Sequence, residues 1–558
     1  MKIRISLLVT LLMCMYIASP SLAVEYVEMK PANELVNVRV GDVLNGDIKP
    51  GITWGGDIAT VLGIEEGIID GRFARQDVFL DQVKAYMRGD TPYLRCTQGM
   101  LNLVVELLNQ DPRTVPVVTY QMTWSTGGDA LVVKDGINSA SDLRGKTIAL
   151  QFYGPHIDYL AKILAGAGLT FNDVNLKWVK DLTATDNVPM EAFYEDDIDA
   201  ALVIIPDALA LTSDGGIGDG SEGSVMGAKI MLSTKTADRI ISDVYVVRSD
   251  YLQAHRADVS KFTHGLMIAG EKLSELIDDK SSQIDRYQRV MSSAATALRD
   301  SPQAIGDTEA LLGDCTYVGF AGNVKFFGDE SYPRNFDLLN DEIQSSYVIA
   351  GFMSKKVAIE HARWDYNAFK AGLTNTEGVD VPKFNTAQVT AVIQKRRQEG
   401  ASEDGVLFSF EIHFVKNQNT FPIEQYKGAF DRVIDLASAY GGAIILVEGH
   451  SDPLGYLKAK KNNLPSVAQR QIIQSAKNLS KSRAQAAVAG VINYAKTKGI
   501  ALDSTQFSDS GLGITQPKSG ICGNDPCPPQ SKQEWLDNMR VEFQIIQIEA
   551  EASVFELL

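Results

Sequence analysis

From Leu35 to about Leu373 the chain alternates short apolar runs with amphipathic helical stretches, and no other feature constrains its fold as much. ALVVK (Ala130–Lys134), KTIAL (Lys146–Leu150) and AALVII (Ala200–Ile205) are apolar runs of strand length. QGMLNLVVELLN (Gln98–Asn109) and IDYLAKILAGAG (Ile157–Gly168) instead repeat their apolar residues at helical spacing. Strands alternating with helices predict α/β units with mostly parallel sheets. A chain of 558 residues has room for three or four compact units.

The alternation breaks at Thr374. Residues 374–405 are polar, with Gly and Pro, and predict a linker carrying one short helix at TAQVTAVIQKRRQ. A second pattern begins after Gly405. VLFSFEIHF alternates as a strand, FPIEQYKGAFDRVIDLASAYG is an amphipathic helix ending at Gly441, and AIILVEG is a strand. A long helix over about Ser466–Lys498 follows, with Ala484, Ala487, Val488, Val491 and Ala495 on one face, and MRVEFQIIQIE is a last strand. This β-α-β-α-β order predicts a small α/β sandwich over 406–550.

The first residues, MKIRISLLVTLLMCMYIASPSLA, combine Lys2 and Arg4 with an apolar run from Ile5 to Ile17 and a small-residue cleavage site at Ser21-Leu22-Ala23. They predict a secretory signal peptide over 1–23, and the run is short for a membrane span. Cys14 follows Leu12-Met13 where a lipid-attachment signal needs a small residue, so no lipid anchor is expected. The formal net charge of −17 argues against partners such as nucleic acid. The mature chain is expected to be exported and soluble, with four cysteines. Cys522 and Cys527, in CGNDPC, predict a local disulfide. Sequence leaves Cys96 and Cys315 either paired or free. No metal-ligand cluster or nucleophile motif is visible, so no metal, cofactor or catalytic residue is expected.

Four blocks of the second pattern carry a resemblance: VEGHSDPLG (Val447–Gly455), LSKSRAQAAV (Leu479–Val488), GLGITQP (Gly511–Pro517) and NMRVEFQI (Asn538–Ile545). Together they resemble the OmpA-like peptidoglycan-binding domain. The resemblance implies a wall peptide as partner, gripped at the zwitterionic end of its diaminopimelate. Asp452 would take the ammonium and Arg483 the carboxylate, through a planar fork suited to it. Asn538 and Arg540 would support the site. Two departures stand out. Asp452 and Arg483 lie 31 residues apart, about double the family's gap, with the basic, polar segment LKAKKNNLPSVAQRQ between them. The family's Asn-Arg-Arg reads Asn538-Met539-Arg540. His450, beside Asp452 in GHSD, is then expected to be structural rather than a base.

GITWGGDIATVLGIEEGII (Gly51–Ile69), LRCTQGM (Leu94–Met100) and the block Ala130–Val174 resemble periplasmic solute-binding proteins of the nitrate/sulfonate/taurine ABC-transporter type. That resemblance implies a bilobed type II fold over 24–373, with lobe two at about 126–243, closing around a small ligand. His156, in the loop that contacts ligand in this group, would touch it, flanked by Gln151, Tyr153 and Gly154. Gly154-Pro155 opens a helix whose free N–H groups suit an anion. Trp54 and Gly55 would supply an aromatic wall and close backbone approach from lobe one, with Trp124 near the crossing. The reading is a periplasmic receptor for a small anionic ligand, tethered to peptidoglycan and served by an ABC permease. The alternative is a wall-anchored scaffold or sensor whose bilobed unit binds no transported solute. An enzyme is not expected, because the cysteine-rich motif of the thiamine-pyrimidine synthases in the same superfamily is absent.

Overall fold

The computed structural model describes residues 24–43, 45–377, 393, 406–416 and 420–546. The expected leader lies outside the described residues, as does the expected linker helix apart from Ile393.

The N-terminal unit contains β1 (Tyr93–Thr97), β2 (Pro116–Ser125), β3 (Asp129–Val133), β4 (Thr147–Gln151), β5 (Asn175–Val179), β6 (Ala200–Ile204), β7 (Lys229–Ser233), β8 (Ser242–Arg248) and β9 (Cys315–Tyr317). Lobe one holds the order β9-β2-β8-β1, antiparallel at every one of these pairings. Lobe two holds Tyr26–Val27, then β5-β4-β6-β3-β7. Among the described residues of this unit, the expectation of mostly parallel sheets is met across β5-β4-β6 and in two short pairings, Ile48–Gly51 with Arg72–Arg75 and Glu360–His361 with β2. The reason is the chain path. β2 carries the chain out of lobe one and β8 brings it back, so the two long strands must run in opposite directions. They pair along their length, from Ser242 against Trp124 to Arg248 against Pro116.

The helices that matter for the sites are α1 (Asp57–Glu65), α2 (Gln98–Leu108), α3 (Ile157–Gly166), α4 (Ile205–Leu211) and α5 (Phe336–Ala350). The Thr97 side chain caps α2 by accepting from the Met100 N–H at 3.1 Å. Asn335 caps α5, and Gly351 ends it in the left-handed region at φ 76°. α5 reaches both lobes. Asn340 accepts from Gln98 and Asn102 of lobe one at 2.6 and 3.0 Å. Asn172 of lobe two donates to the Ile349 carbonyl at 3.3 Å.

The C-terminal domain contains β10 (Val406–His413), α6 (Lys427–Ala439), β11 (Ile444–His450), α7 (Leu454–Lys461), α8 (Ser466–Thr497), β12 (Phe507–Gly513), α9 (Lys532–Asp537) and β13 (Arg540–Ile546). Its sheet order is β10-β13-β11-β12, with only β11 and β12 parallel. β12 (FSDSGLG) adds a strand to the expected β-α-β-α-β order. Its residues have poor strand propensity, and its place is set by β11 beside it and α8 above it. α8 buries Ala484, Ala487, Val491 and Ala495 against the sheet. The long segment between Asp452 and Arg483 is α7 plus the extended start of α8. Tyr456 donates to Asp525 at 2.8 Å, and Lys460 pairs with the same carboxylate. Asp525 sits in a hairpin closed by the Cys522–Cys527 disulfide. Cys96 and Cys315 are free, buried thiols. Among the described residues no helix is long and apolar enough to cross a membrane.

Gly449, in GHSD, lies directly under α8, and a Cβ there would strike the Ser480 carbonyl. Gly449→Ala is expected to cost about 1–3 kcal/mol, as overpacking does. A lower urea midpoint for the C-terminal domain's transition would register it.

Candidate functional site

Asp452 follows the last residues of β11 and is half-buried. It accepts from the Leu454 N–H at 3.3 Å. Burial lifts its carboxyl above the usual range, while the Trp535 indole, the Leu454 N–H, Lys416 and Lys458 pull it down. The Trp535 N–H is buried beside it without closing an ordinary hydrogen bond. Arg483 rises from α8 to the same strand end and is 1% exposed. It donates to the carbonyls of His450 at 3.2 Å and Val415 at 3.3 Å, and its guanidinium lies 5.3 Å from the Phe414 ring centre. Burial brings its pKa down to about 10, and Asp452 is the charge that works against this.

Asn538 and Arg540 support the neighbouring loop. Asn538 is fully buried and bonds Ser519 through both ends of its amide, at 3.4 and 3.2 Å. Arg540 lies 3.2 Å from Glu411 and 3.3 Å from Glu542. His450 is buried with its Nε2 3.8 Å from Glu542. Lys416, Lys458 and Trp535 were not singled out by the sequence. They come from three separate elements, and their only sequence signal is the basic character of the inserted segment for Lys458.

The lobes meet at Trp54. Its indole donates to Thr123 Oγ1 at 3.1 Å, and Thr123 donates to Asp243 at 2.8 Å. The ring covers Gly128, where a Cβ would overlap it. Gly55 is needed because a Cβ would collide with the Leu311 carbonyl. Behind Trp54, Arg95 is wholly buried, 2.9 Å from Asp57 and paired with Asp243. On lobe two, His156 is also wholly buried, its Nε2 2.7 Å from Asp129. Asp129 accepts from Ser125 at 2.6 Å, and Ser125 reaches Thr234 at 2.9 Å. Asp207, in the first turn of α4, is pushed up to about 6 by burial and Glu191, against the pull of His156. Asp314, next to Gly127 and Gly128, is also pushed up to about 6, by burial and Asp129, against Lys235 and Arg299.

The other expected solute residues divide. Gln151, the last residue of β4, and Gly154, in the loop before α3, stay together, so close that a Cβ on Gly154 would crowd the Gln151 side chain. Tyr153 has φ 53° and turns its hydroxyl to the Lys30 carbonyl at 2.9 Å, away from the role expected for it. Trp124 packs edge-on against Phe326 with ring centres 5.9 Å apart, in the core. In a β-strand successive side chains face opposite sides, and Thr123 rather than Trp124 has the side facing Trp54.

A family model described as NMT1/THI5 like matches residues 110–269, the stretch containing both crossings and lobe two apart from its edge strand Tyr26–Val27. No curated protein matches the chain. Among solved structures, the periplasmic aliphatic sulphonate binding protein SsuA from Escherichia coli is similar at 15% identity, over 60% of this chain and 96% of that one, with a TM-score of 0.39. The alkanesulfonate-binding protein from Xanthomonas axonopodis pv. citri, bound to MOPS, is similar at 15% identity over 59% and 99%, with a TM-score of 0.37. The peptidoglycan-associated lipoprotein from Burkholderia pseudomallei is similar at 16% identity over 24% and 88%, with a TM-score of 0.17. At these scores the matches are likenesses and nothing more.

Arg95→Met would leave Asp57 and Asp243 facing each other without their cation. A loss of about 3–5 kcal/mol in unfolding free energy is expected, the scale of breaking a buried ion pair. Where the lobes touch, the Asp158 carboxyl of α3 lies against Gly99 of α2. Burial pushes it up to about 8, Glu342 adds to this, and Arg334 opposes it. Between pH 4 and 8 the folded protein therefore keeps a proton that the unfolded chain has lost. Stability falls as pH rises through that window, by on the order of 1 kcal/mol per pH unit from this group. Asp158→Asn should flatten the pH dependence of the melting temperature there.

Proposed function

We propose that the chain is a periplasmic solute receptor held to the cell wall by its C-terminal domain. The single observation that carries the receptor reading is the double crossing through β2 and β8. It joins two sheets, and Trp54, Thr123, Asp129, His156, Asp207 and Asp314 lie in one chain of contacts where the lobes meet. Two lobes joined by two crossings can hinge around a small ligand and present it to an ABC permease. The likeness to sulphonate-binding proteins accords with this reading.

The charge of the cleft bears on the ligand. Arg95 is already neutralised by two carboxylates, and the Nε2 of His156 is engaged by Asp129. An anion would depend on backbone N–H groups at the start of α3 and on Lys235, with Asp129, Asp207 and Asp314 opposing it. This favours a neutral or ammonium-bearing solute. The scaffold or sensor alternative draws on the same buried contact between His156 Nε2 and Asp129 and on Trp54 covering Gly128.

For the wall, the reading rests on Asp452 and Arg483 meeting at one strand end, half-buried and buried. A zwitterion placed between them would meet a carboxylate and a guanidinium, where partial burial strengthens charge-assisted bonds. α7 and the disulfide hairpin stand beside that pair, tied together through Asp525.

Two measurements test these readings. Asp452→Asn keeps shape and removes charge, so retention on purified peptidoglycan sacculi should fall about 10- to 100-fold, the worth of one charged hydrogen bond. Equal retention of the parent and Asp452→Asn would sink the tether. In a thermal-shift panel of nitrate, sulfonates, amino acids and quaternary amines, a true solute at 100 times its Kd should add about 2.7 kcal/mol. Silence across the panel would favour the scaffold.

A further inference from the structure

Lys162, on α3, is 3% exposed and yet carries two carboxylates from outside its own lobe. Its Nζ lies 2.6 Å from Glu342 of α5 and 2.5 Å from Asp435 of α6. Arg334, just before α5, reaches the same Glu342 at 2.9 Å and donates to the Arg239 carbonyl of lobe two at 2.9 Å. Burial works against ionisation of Glu342, but Arg334 and Lys162 together hold its carboxyl down to about 2. Three bodies therefore meet at one ammonium: lobe two, the helix α5 that also grips lobe one through Asn340, and the C-terminal domain.

Close packing surrounds this junction. Arg432 of α6 donates to the Gly166 carbonyl at 2.7 Å, and the Phe408 ring lies against Gly166 so tightly that a Cβ would overlap it. The Gly442 N–H donates to the Thr236 carbonyl at 3.0 Å, and the Arg239 N–H to the Ala439 carbonyl at 3.3 Å. Just past α5, Phe352 packs on Phe171 and Trp178 of lobe two, with ring centres 5.1 and 5.6 Å apart.

We propose that α5 and the C-terminal domain form a brace that holds the two lobes closed through Lys162. Any swing that carries α5 away from α3 must pull Glu342 off a lysine that has almost no water to fall back on. Lobe two and the C-terminal domain move as one body, and lobe one is the part that swings. Anchoring and lobe closure are then coupled mechanically, whatever solute or wall fragment each end binds.

The test uses the full chain without solute or wall, so its outcome is separate from the fate of either binding reading. Spin labels go on Val78→Cys in lobe one and Met226→Cys in lobe two, 46% and 70% exposed in the parent. The remaining cysteines are buried or in the disulfide. Double electron–electron resonance should give one narrow distance in the otherwise native protein. Lys162→Met and, separately, Glu342→Gln should each add a longer-distance population of about a tenth or more. Distributions unchanged in both variants would overturn the brace. If Lys162→Met fails to fold, Glu342→Gln decides by the same readout, since it keeps the side chain's shape and that side chain is 29% exposed. A second pair, Met226→Cys with Val467→Cys on α8, should stay narrow, and a broad distribution there overturns the single-body claim.

Discussion

Arg95 lies without exposed surface between Asp57 and Asp243, and the N-terminal unit is arranged around that contact. The three residues belong to β1, α1 and β8, far apart in sequence. A guanidinium removed from water is tolerable only with its carboxylates in place. Meeting that condition draws α1 up to the lobe-one sheet and fixes where β8 re-enters it. It also places Trp54, three residues before Asp57, over Thr123 and Gly128. The cleft inherits its shape from a buried charge cluster rather than from apolar packing alone.

That arrangement changes what the cleft can recognise. A histidine in a glycine-proline loop before a helix reads as part of an anion site. In the folded protein its imidazole is already paired with Asp129, and two further carboxyls, Asp207 and Asp314, are lifted by burial. Local sequence reads as an anion site, whereas the folded chain already engages the imidazole with Asp129 and gathers further carboxyls near it. Only the assembled set has an energy that a ligand would feel.

The GHSD stretch shows the same shift of meaning in the C-terminal domain. His450 and Asp452 are neighbours in sequence but do not act as a pair. The His450 carbonyl is an acceptor for Arg483, and its imidazole is buried toward Glu542. Asp452 instead faces residues from α7, α9 and the segment after β10. Gly449 is glycine because α8 crosses it at backbone contact. Much of this was legible: α3 and α8 announce themselves by apolar spacing, and four separated blocks outline the sheet end. β12 was not, because FSDSGLG owes its strand form to β11 and to the helix packed above its glycines.

The sequence by itself determined many of the local elements, α3 and α8 among them, and the CGNDPC disulfide. These follow from side-chain periodicity, turn chemistry and short-range spacing, which act over a few residues. The tertiary structure alone decided that the lobe-one sheet β9-β2-β8-β1 is antiparallel, that Tyr153 and Trp124 turn to other partners, and that Lys162 joins three bodies. Strand direction depends on where a chain returns after more than a hundred residues, and a buried charge takes its meaning from partners that only folding brings within reach.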